Sequence, residues 1–256
     1  MKLYFIVFIL SILTSCDSQK NSKESTRLSN ESKSLLENNK IEEAEIVVKK
    51  SIQLDPTNYA AYNNRAFIKL RQKKPKEEII ADYKKALQLK PNYDISLYSL
   101  TNYYFEIKDY ESTIANANIY LDYSVKEDFD TKLTQHIFAI SGESKYMIGE
   151  FDNAIIDIKK SIELDTADAE SHKLLGDCYL YKNSFAEALK ELTTAIRLND
   201  TYYQAYLARA KCYESLQDSK SMELAELDYK KVFELNPKAE DIYKTNSTLF
   251  KRLKPN

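Results

Sequence analysis

The chain has 256 residues and a formal net charge of −2 at pH 7, which excludes the global positive field typical of nucleic-acid-binding proteins. It contains three glycines and five prolines but twenty tyrosines. Because tight turns depend on glycine, this composition disfavours a turn-rich β protein and predicts long helices.

Residues 1–15 are predicted to form a secretory signal peptide. Lys2 precedes an apolar run from Leu3 to Leu13 that contains no charged residue. A helix needs about 20 apolar residues to cross a bilayer, so this run is too short for a stable transmembrane span. A basic start, a short apolar core and small residues after it are typical of a secretory signal.

The signal ends in Leu13-Thr14-Ser15-Cys16, which resembles the bacterial lipobox. The resemblance implies that the Cys16 thiol receives diacylglycerol, that the signal is cut before it, and that the new N-terminus is acylated, for example with palmitate. One acyl chain binds a membrane only marginally, so several chains give a lasting anchor. The alternative is an ordinary signal peptide with an incidental cysteine. The lipobox predicts a bacterial envelope membrane and leaves inner versus outer open.

Residues 16–30 are predicted to be the lipidated N-terminus followed by a flexible tether. The stretch from Asp17 to Asn30 has no aromatic residue and one aliphatic residue, Leu28. Such a polar segment cannot bury a core of its own. We therefore expect it to hold the folded part away from the membrane.

Internal repeats are the main signal in the rest of the chain. Five similar segments recur at spacings of 35, 75, 34 and 37 residues, beginning at Lys49, Lys84, Lys159, Thr193 and Lys230. The long spacing predicts one more copy, and NIYLDYSV divides it into 34 and 41 residues. Six copies with a basic period of 34 indicate a helical solenoid.

One copy, residues 169–200, shows the internal order best, through Leu175-Gly176, Tyr179, Ala188 and Leu192. This order resembles the tetratricopeptide repeat, in which small residues let two helices approach and large ones fill the space between them. The resemblance implies an all-α, right-handed superhelical solenoid of about six helix-turn-helix repeats over residues 25–237. The approximate repeats are 25–58, 59–93, 94–127, 135–168, 169–202 and 203–239.

Two segments depart from the regular period. The third unit is seven residues longer than the others over residues 122–134, as either a longer loop or extended helix ends. Beyond the last repeat, residues 238–256 carry one apolar stripe that includes Ile242, Leu249 and Phe250. An open stack end needs a polar cover, so this segment is predicted to be a C-terminal capping helix.

No motif for catalysis, a metal or a cofactor is found in the sequence. Of the two histidines, His172 occupies a packing position of its repeat, and His136 is expected on the exposed face of a first helix. The three glycines stand at helix contacts and a turn rather than in a phosphate-binding loop. The chain is therefore predicted not to be an enzyme and to need no cofactor.

Cys178 and Cys212 lie 34 residues apart, at the same place in adjacent repeats. Equivalent points on neighbouring packed helices are about 8–10 Å apart, whereas Cα atoms joined by a disulfide lie within about 7 Å. Both cysteines are predicted to be free, buried thiols.

The resemblance also implies where a partner binds. In tetratricopeptide repeats the concave groove is lined by the first helix of each repeat, at its second, fifth, ninth and twelfth positions. In this sequence the groove positions include Asn63, Phe67, Tyr98, Asn102, Phe105, Tyr146, Lys173, Asp177, Leu180, Leu207 and Lys211.

These features predict a non-catalytic scaffold or adaptor that is anchored to an envelope membrane through Cys16 and binds a segment of a protein partner in its groove. Envelope complex assembly is the expected setting. Two alternatives stay open: a structural lipoprotein that assembles with itself, and an accessory lipoprotein that handles a solute or polysaccharide. Exposed aromatic groove residues are suitable anchors for a peptide, and no nucleic-acid partner is expected.

Overall fold

The computed structural model describes the backbone of residues 2–239 and the side chains of residues 18–239. This part of the chain forms twelve α-helices and no strand, so the predicted all-α class is confirmed. The helices are α1 (Lys2–Glu37), α2 (Ile41–Leu54), α3 (Tyr59–Arg71), α4 (Lys76–Leu89), α5 (Asp94–Glu106), α6 (Tyr110–Lys126), α7 (Thr131–Met147), α8 (Phe151–Leu164), α9 (Ala169–Tyr181), α10 (Phe185–Leu198), α11 (Tyr203–Leu216) and α12 (Ser219–Leu235).

The helices form two compact units, one up to residue 103 and one from residue 104 onward. In the first unit, α1 packs on α2 and α3 packs on α4. In the second unit, α7 packs on α8, α9 on α10 and α11 on α12. Each helix pair is one repeat, in which a first helix is followed by a short turn and a second helix.

Buried small residues bring the two helices of a repeat close together. A Cβ atom added to Gly176 of α9 would lie 2.6 Å from Cγ of Leu192 in α10, and one added to Gly142 would lie 2.6 Å from Cγ1 of Ile158. Both distances are shorter than carbon atoms tolerate, so a larger residue would force the helices apart. The prediction that these glycines are helix contacts is confirmed.

The first helix extends into the segment that the sequence predicts to be a tether. Residues 18–30 lie within α1, and Ser25, Leu28 and Ser29 are at most 3% exposed. Ser25 Oγ donates to the carbonyl oxygen of Ser51 at 2.8 Å, and Asn64 Nδ2 donates to that of Ser29 at 2.8 Å. Residues 25–30, which the sequence places both at the end of the tether and at the start of the first repeat, thus pack on the next two helices.

The composition of this segment does not reveal its packing, because two of the three buried side chains, Ser25 and Ser29, are polar. The buried serines form hydrogen bonds with neighbouring helices. Burial of a polar group costs little free energy when the group is hydrogen-bonded in this way. Residues 18–23 are helical and exposed. The side chain of Cys16 lies outside the described residues, as do residues 240–256 of the predicted capping helix.

The longer third unit extends its helices rather than its loop. The second helix of that unit, α6, continues to Lys126, and α7 begins at Thr131. Asp130 caps α7 by accepting a hydrogen bond from the backbone N–H of Leu133 at 2.9 Å. Of the two readings left open by the sequence, extended helix ends are the one observed.

Both cysteines of the described region are free and buried, as predicted. Burial raises the pKa of Cys178 to about 12 and that of Cys212 to about 11. A thiol with so high a pKa is a weak nucleophile at neutral pH. These cysteines therefore serve as small packing residues.

The two histidines differ in their surroundings. His172 is buried as predicted, but its Nδ1 lies 2.7 Å from Oε2 of Glu191. His136 is half-buried rather than exposed. Burial lowers the pKa of His136, and the charge of Asp168 opposes this shift.

The turns between the helices of a repeat share one backbone feature. Each contains a residue in the left-handed region: Asn39, Lys73, Lys108, Gly149, Asn183 and Gln217, with φ between 55° and 85°. Glycine adopts this conformation without strain, whereas a lysine is penalised by its Cβ. Two of the six turns therefore carry a lysine at a strained position.

Replacing Lys73 by glycine is expected to raise the free energy of unfolding by about 0.5–1 kcal/mol, because strain is relieved at an exposed site. The measurement is urea denaturation followed by circular dichroism. Lys74→Gly is the matched control. Lys74 follows Lys73 directly and is also exposed, but its φ is negative. If both variants lose stability equally, the turn is not strained.

Candidate functional site

A cleft in the second unit collects most of the predicted groove residues. It has a volume of about 510 Å³, and the first helices of three successive repeats, α7, α9 and α11, form its walls. We call it the α9 cleft. Its lining residues are Tyr146, Lys173, Asp177, Leu180, Tyr181, Asn183, Gln204, Leu207, Ala208, Lys211 and Ser215.

Six residues predicted from the repeat period line this cleft together: Tyr146, Lys173, Asp177, Leu180, Leu207 and Lys211. They come from the fifth, ninth and twelfth positions of their repeats. Successive first helices contact one another, as α7 does with α9 and α9 with α11. Side chains at equivalent positions are thereby brought to one surface.

The floor of the α9 cleft carries an ion pair. Lys173 Nζ lies 2.6 Å from Oδ2 of Asp177, one helical turn further along α9. Burial alone would lower the pKa of Lys173, but the charge and hydrogen bond of Asp177 outweigh burial and raise it. Burial raises the pKa of Asp177, and the charge and hydrogen bond of Lys173 oppose this shift.

Two aromatic rings, Tyr146 and Tyr181, line the α9 cleft, and Phe151 packs against both of them. The rings of Phe151 and Tyr181 stack at 5.0 Å between centroids with an interplanar angle of 11°, and Tyr146 meets each of them edge-on at 5.7 Å. Edge-on and stacked pairs of this kind stabilise each other beyond simple burial. Tyr181 is nevertheless 63% exposed, so its ring offers surface to a ligand while its neighbours hold its orientation.

Two further predicted residues line a separate cleft of about 510 Å³ in the first unit. Phe67 is 37% exposed there and has Arg71 above its ring at 5.9 Å. Asn63 is buried, and its Oδ1 accepts a hydrogen bond from Ser96 Oγ at 2.8 Å. This bond occupies the amide oxygen, so Asn63 shapes the cleft more than it offers a free acceptor.

The remaining three predicted residues, Tyr98, Asn102 and Phe105, lie on α5 and are half-buried. None of them is among the residues that line these two clefts. Asn102 Nδ2 donates within its own helix to the carbonyl oxygen of Tyr98 at 3.0 Å. Their role in a groove stays a prediction.

Sequence reasoning missed several residues of the α9 cleft. Gln204 stands at the second position of α11 and could have been found from the same period. Tyr181, at the end of α9, and Asn183, in the turn after it, lie outside that period. Only the packing of the helix ends brings them to the cleft.

Buried acidic residues form a second feature that sequence reasoning missed. They stand at equivalent positions in four second helices, each directly before a large core residue: Asp82, Asp157, Glu191 and Asp228. Each pairs with a basic residue in the first helix of its own repeat: Arg65, Lys145, His172 and Arg209. The sequence does carry a signal for these pairs, because an acidic residue stands at the same position in four aligned repeats.

The two arginine pairs have the strongest geometry. Arg209 donates to both carboxylate oxygens of Asp228 at 2.8 and 2.7 Å, and Arg65 donates to those of Asp82 at 2.8 and 2.5 Å. Burial alone would lower the pKa of Arg209, but Asp228 outweighs this effect and raises it. Two-point bonding of this kind fixes the angle between planar groups, so these pairs orient the helices of a repeat.

Within the part of the chain that the structure describes, no group of three or more histidine, cysteine, aspartate or glutamate side chains is arranged to hold a metal ion. The same residues include no helix that is long and apolar enough to cross a membrane.

Comparison with known families identifies the repeat. A tetratricopeptide repeat model matches residues 30–94 and 173–239, which together are just over half of the chain. The chain belongs to the tetratricopeptide repeat family. The matched ranges contain α2, α3 and α4 in the first unit and most of α9 through α12 in the second.

A short segment of this chain is similar in sequence to part of a curated protein. The mouse (Mus musculus) DnaJ homolog subfamily C member 7 is 44% identical over 48 residues, which are 19% of this chain and 9% of that protein. The match thus spans about a tenth of the relative's length, and it reflects the shared repeat.

Solved structures resemble most of the chain. PilF of Pseudomonas aeruginosa superimposes with a TM-score of 0.63 and 13% identity, covering 91% of this chain and 97% of PilF. YrrB, described as a tetratricopeptide repeat protein with an unusual peptide-binding site, gives a TM-score of 0.64 and 18% identity, covering 80% and 96%. At these identities the likeness shows the shared helical repeat fold.

Proposed function

We propose that this protein is a non-catalytic adaptor that binds an extended segment of a partner protein in the α9 cleft. The observation that carries the proposal is the convergence of six predicted groove residues from three successive repeats on one cleft. A peptide-binding site in YrrB, a protein of the same fold, supports this assignment.

The chemistry of the cleft suits a peptide. Its volume of about 510 Å³ lies within the range of about 300–1,000 Å³ that is usual for ligand sites. Leu180 and Leu207 supply apolar surface, and Tyr181 supplies an exposed ring whose position is already fixed by Phe151. Rigid aromatic anchors reduce the entropy lost on binding.

The partner can be found by photo-crosslinking from inside and outside the cleft. A crosslinking amino acid at position 181 is expected to capture a protein that the same group at position 156 does not. Tyr181 and Ile156 are 63% and 60% exposed, so they are equally accessible, but only Tyr181 lines the cleft.

The captured segment then provides a direct binding test. As a synthetic peptide it should bind the purified chain, and Leu180→Asp should abolish binding because a charge is placed on the apolar wall. Equal capture from both positions, or unchanged affinity of the Leu180→Asp variant, would show that the partner binds elsewhere.

We also propose that the protein is anchored by lipid at Cys16 to a bacterial envelope membrane. The Leu13-Thr14-Ser15-Cys16 sequence supports this. The backbone is helical from Lys2 to Glu37, so the packed residue Ser25 lies nine positions after Cys16 in the same helix. At 1.5 Å per residue this is about 14 Å, which makes α1 a short, stiff spacer between the lipid and the repeats.

Substitution of Cys16 by serine is expected to move the protein from the membrane fraction to the soluble fraction, or to leave an uncut precursor. The measurement is membrane fractionation together with mass spectrometry of the N-terminal peptide. Cys178→Ser is the control, because it removes a buried thiol and leaves the anchor. Normal processing and membrane retention of Cys16→Ser would contradict lipidation.

A further inference from the structure

Lys211 stands out in the α9 cleft as a half-buried ammonium group. Among the side chains that the structure describes, no carboxylate lies within ion-pair distance of its Nζ, whereas the neighbouring Lys173 is paired with Asp177 at 2.6 Å. The lining therefore holds two ammonium groups against one carboxylate, and the positive charge left over belongs to Lys211.

The surroundings of Lys211 disfavour its charge on balance. Burial lowers its pKa and the charge of Lys173 adds to this effect, whereas the charges of Asp177 and Glu214 oppose it. A half-buried charge is only partly solvated. A ligand group of opposite sign therefore stabilises it through a charge-assisted hydrogen bond.

The walls beside Lys211 are apolar and aromatic. Leu207 precedes it by one helical turn on α11, Leu180 faces the cleft from α9, and Tyr146 and Tyr181 line the same cleft. A ligand that reaches Lys211 is therefore in contact with apolar surface on its flanks.

We infer that the α9 cleft is selective for a peptide segment in which an internal aspartate or glutamate is flanked by an aliphatic or aromatic residue. The acidic side chain accepts a hydrogen bond from Lys211 Nζ, and the flanking residue packs against Leu180, Leu207 and the tyrosine rings. This inference rests on the proposed function, to which it adds the chemistry of the partner.

The test uses a library of random heptapeptides that continue at their carboxyl end into a carrier protein, so that no terminal carboxylate is present. Selection on the purified full chain is expected to enrich peptides with one acidic residue next to an aliphatic or aromatic residue. The same selection on Lys211→Met should lose the acidic preference. Selected peptides should bind this variant about 10- to 100-fold more weakly, as expected for the loss of a charge-assisted hydrogen bond.

One control variant and one stability measurement make the outcomes distinct. Lys190→Met removes an equal charge from a side chain that is 79% exposed and outside the cleft, and it should leave the selection unchanged. Lys211→Met should keep its helical circular dichroism and melting temperature, because the described residues make no ion pair with Lys211 that it could lose.

Each result decides between the two proposals. If selected peptides bind through the cleft, as judged by loss of binding in Leu180→Asp, but show no acidic preference, the inference about Lys211 is wrong and the adaptor function stands. If no selected peptide depends on Leu180, both the acidic motif and peptide binding in this cleft are wrong.

Discussion

Replacement of Arg209 by methionine is expected to lower the free energy of unfolding by about 3–5 kcal/mol, the usual cost of removing one partner of a buried ion pair. The Asp228 side chain is 7% exposed. In the variant it loses both hydrogen bonds from the guanidinium, and a methionine of similar length cannot replace them. The remaining carboxylate is buried without compensation for its lost hydration.

This loss can be measured by urea denaturation followed by circular dichroism, with hydrogen exchange to localise it to α11 and α12. The matched control is Lys160→Met, which breaks an exposed pair with Glu163 whose side chains are 53% and 61% exposed. Exposed pairs contribute at most about 1 kcal/mol. A loss in Arg209→Met as small as in the control would show that the buried pair does not hold the repeat together.

A double variant separates the charge from the packing. Arg209→Met combined with Asp228→Leu should recover most of the stability lost in the single variant, because no unpaired charge remains in the interior. Failure to recover would mean that the shape of the pair, rather than its charge, matters for the repeat.

Substitution of Leu28 by alanine is expected to lower the free energy of unfolding by about 2–5 kcal/mol, the range found when a buried leucine is truncated. Leu28 is 3% exposed on α1, in a segment whose composition alone predicts a tether. A residue in a tether would contribute almost nothing, so this single change tests how the first repeat is built.

Hydrogen exchange of α1 and α2 provides the local measurement, together with urea denaturation. Lys23→Ala is the control, because Lys23 is exposed on the same helix, and surface substitutions usually change stability by less than about 0.5 kcal/mol. Equal, negligible effects of the two substitutions would restore the tether interpretation and remove the stiff spacer from the proposed anchor.

The all-α fold could be predicted because each repeat carries its own pattern. The place of Gly176 in its repeat predicts a helix contact, and Cγ of Leu192 lies 2.6 Å from where a Cβ at this position would be. Cys178 and Cys212 were predicted free because equivalent positions on adjacent helices lie too far apart for a disulfide, and both are free. These are consequences of local periodicity, which is present in the sequence.

The first repeat is harder to recognise because the hydrogen-bond partners of its polar residues lie far along the chain. Ser25 is bonded to Ser51 and Asn58, both from later segments of the chain. A serine with such partners can be fully buried, but its neighbours along the sequence give no sign of them. The buried pair of Arg209 with Asp228 was missed for a related reason, since its two residues stand on different helices.

The sequence by itself determined the helical repeats, their period and the positions that face a common surface, because a helix repeats its faces at short range. Only the tertiary structure decided which of those positions meet in one cleft, which later helices residues 25–30 pack against, and that Asp177 pairs with Lys173 but leaves Lys211 without an ion pair among the described residues. Those outcomes depend on distances between side chains of different helices, and such distances are set by packing rather than by spacing along the chain.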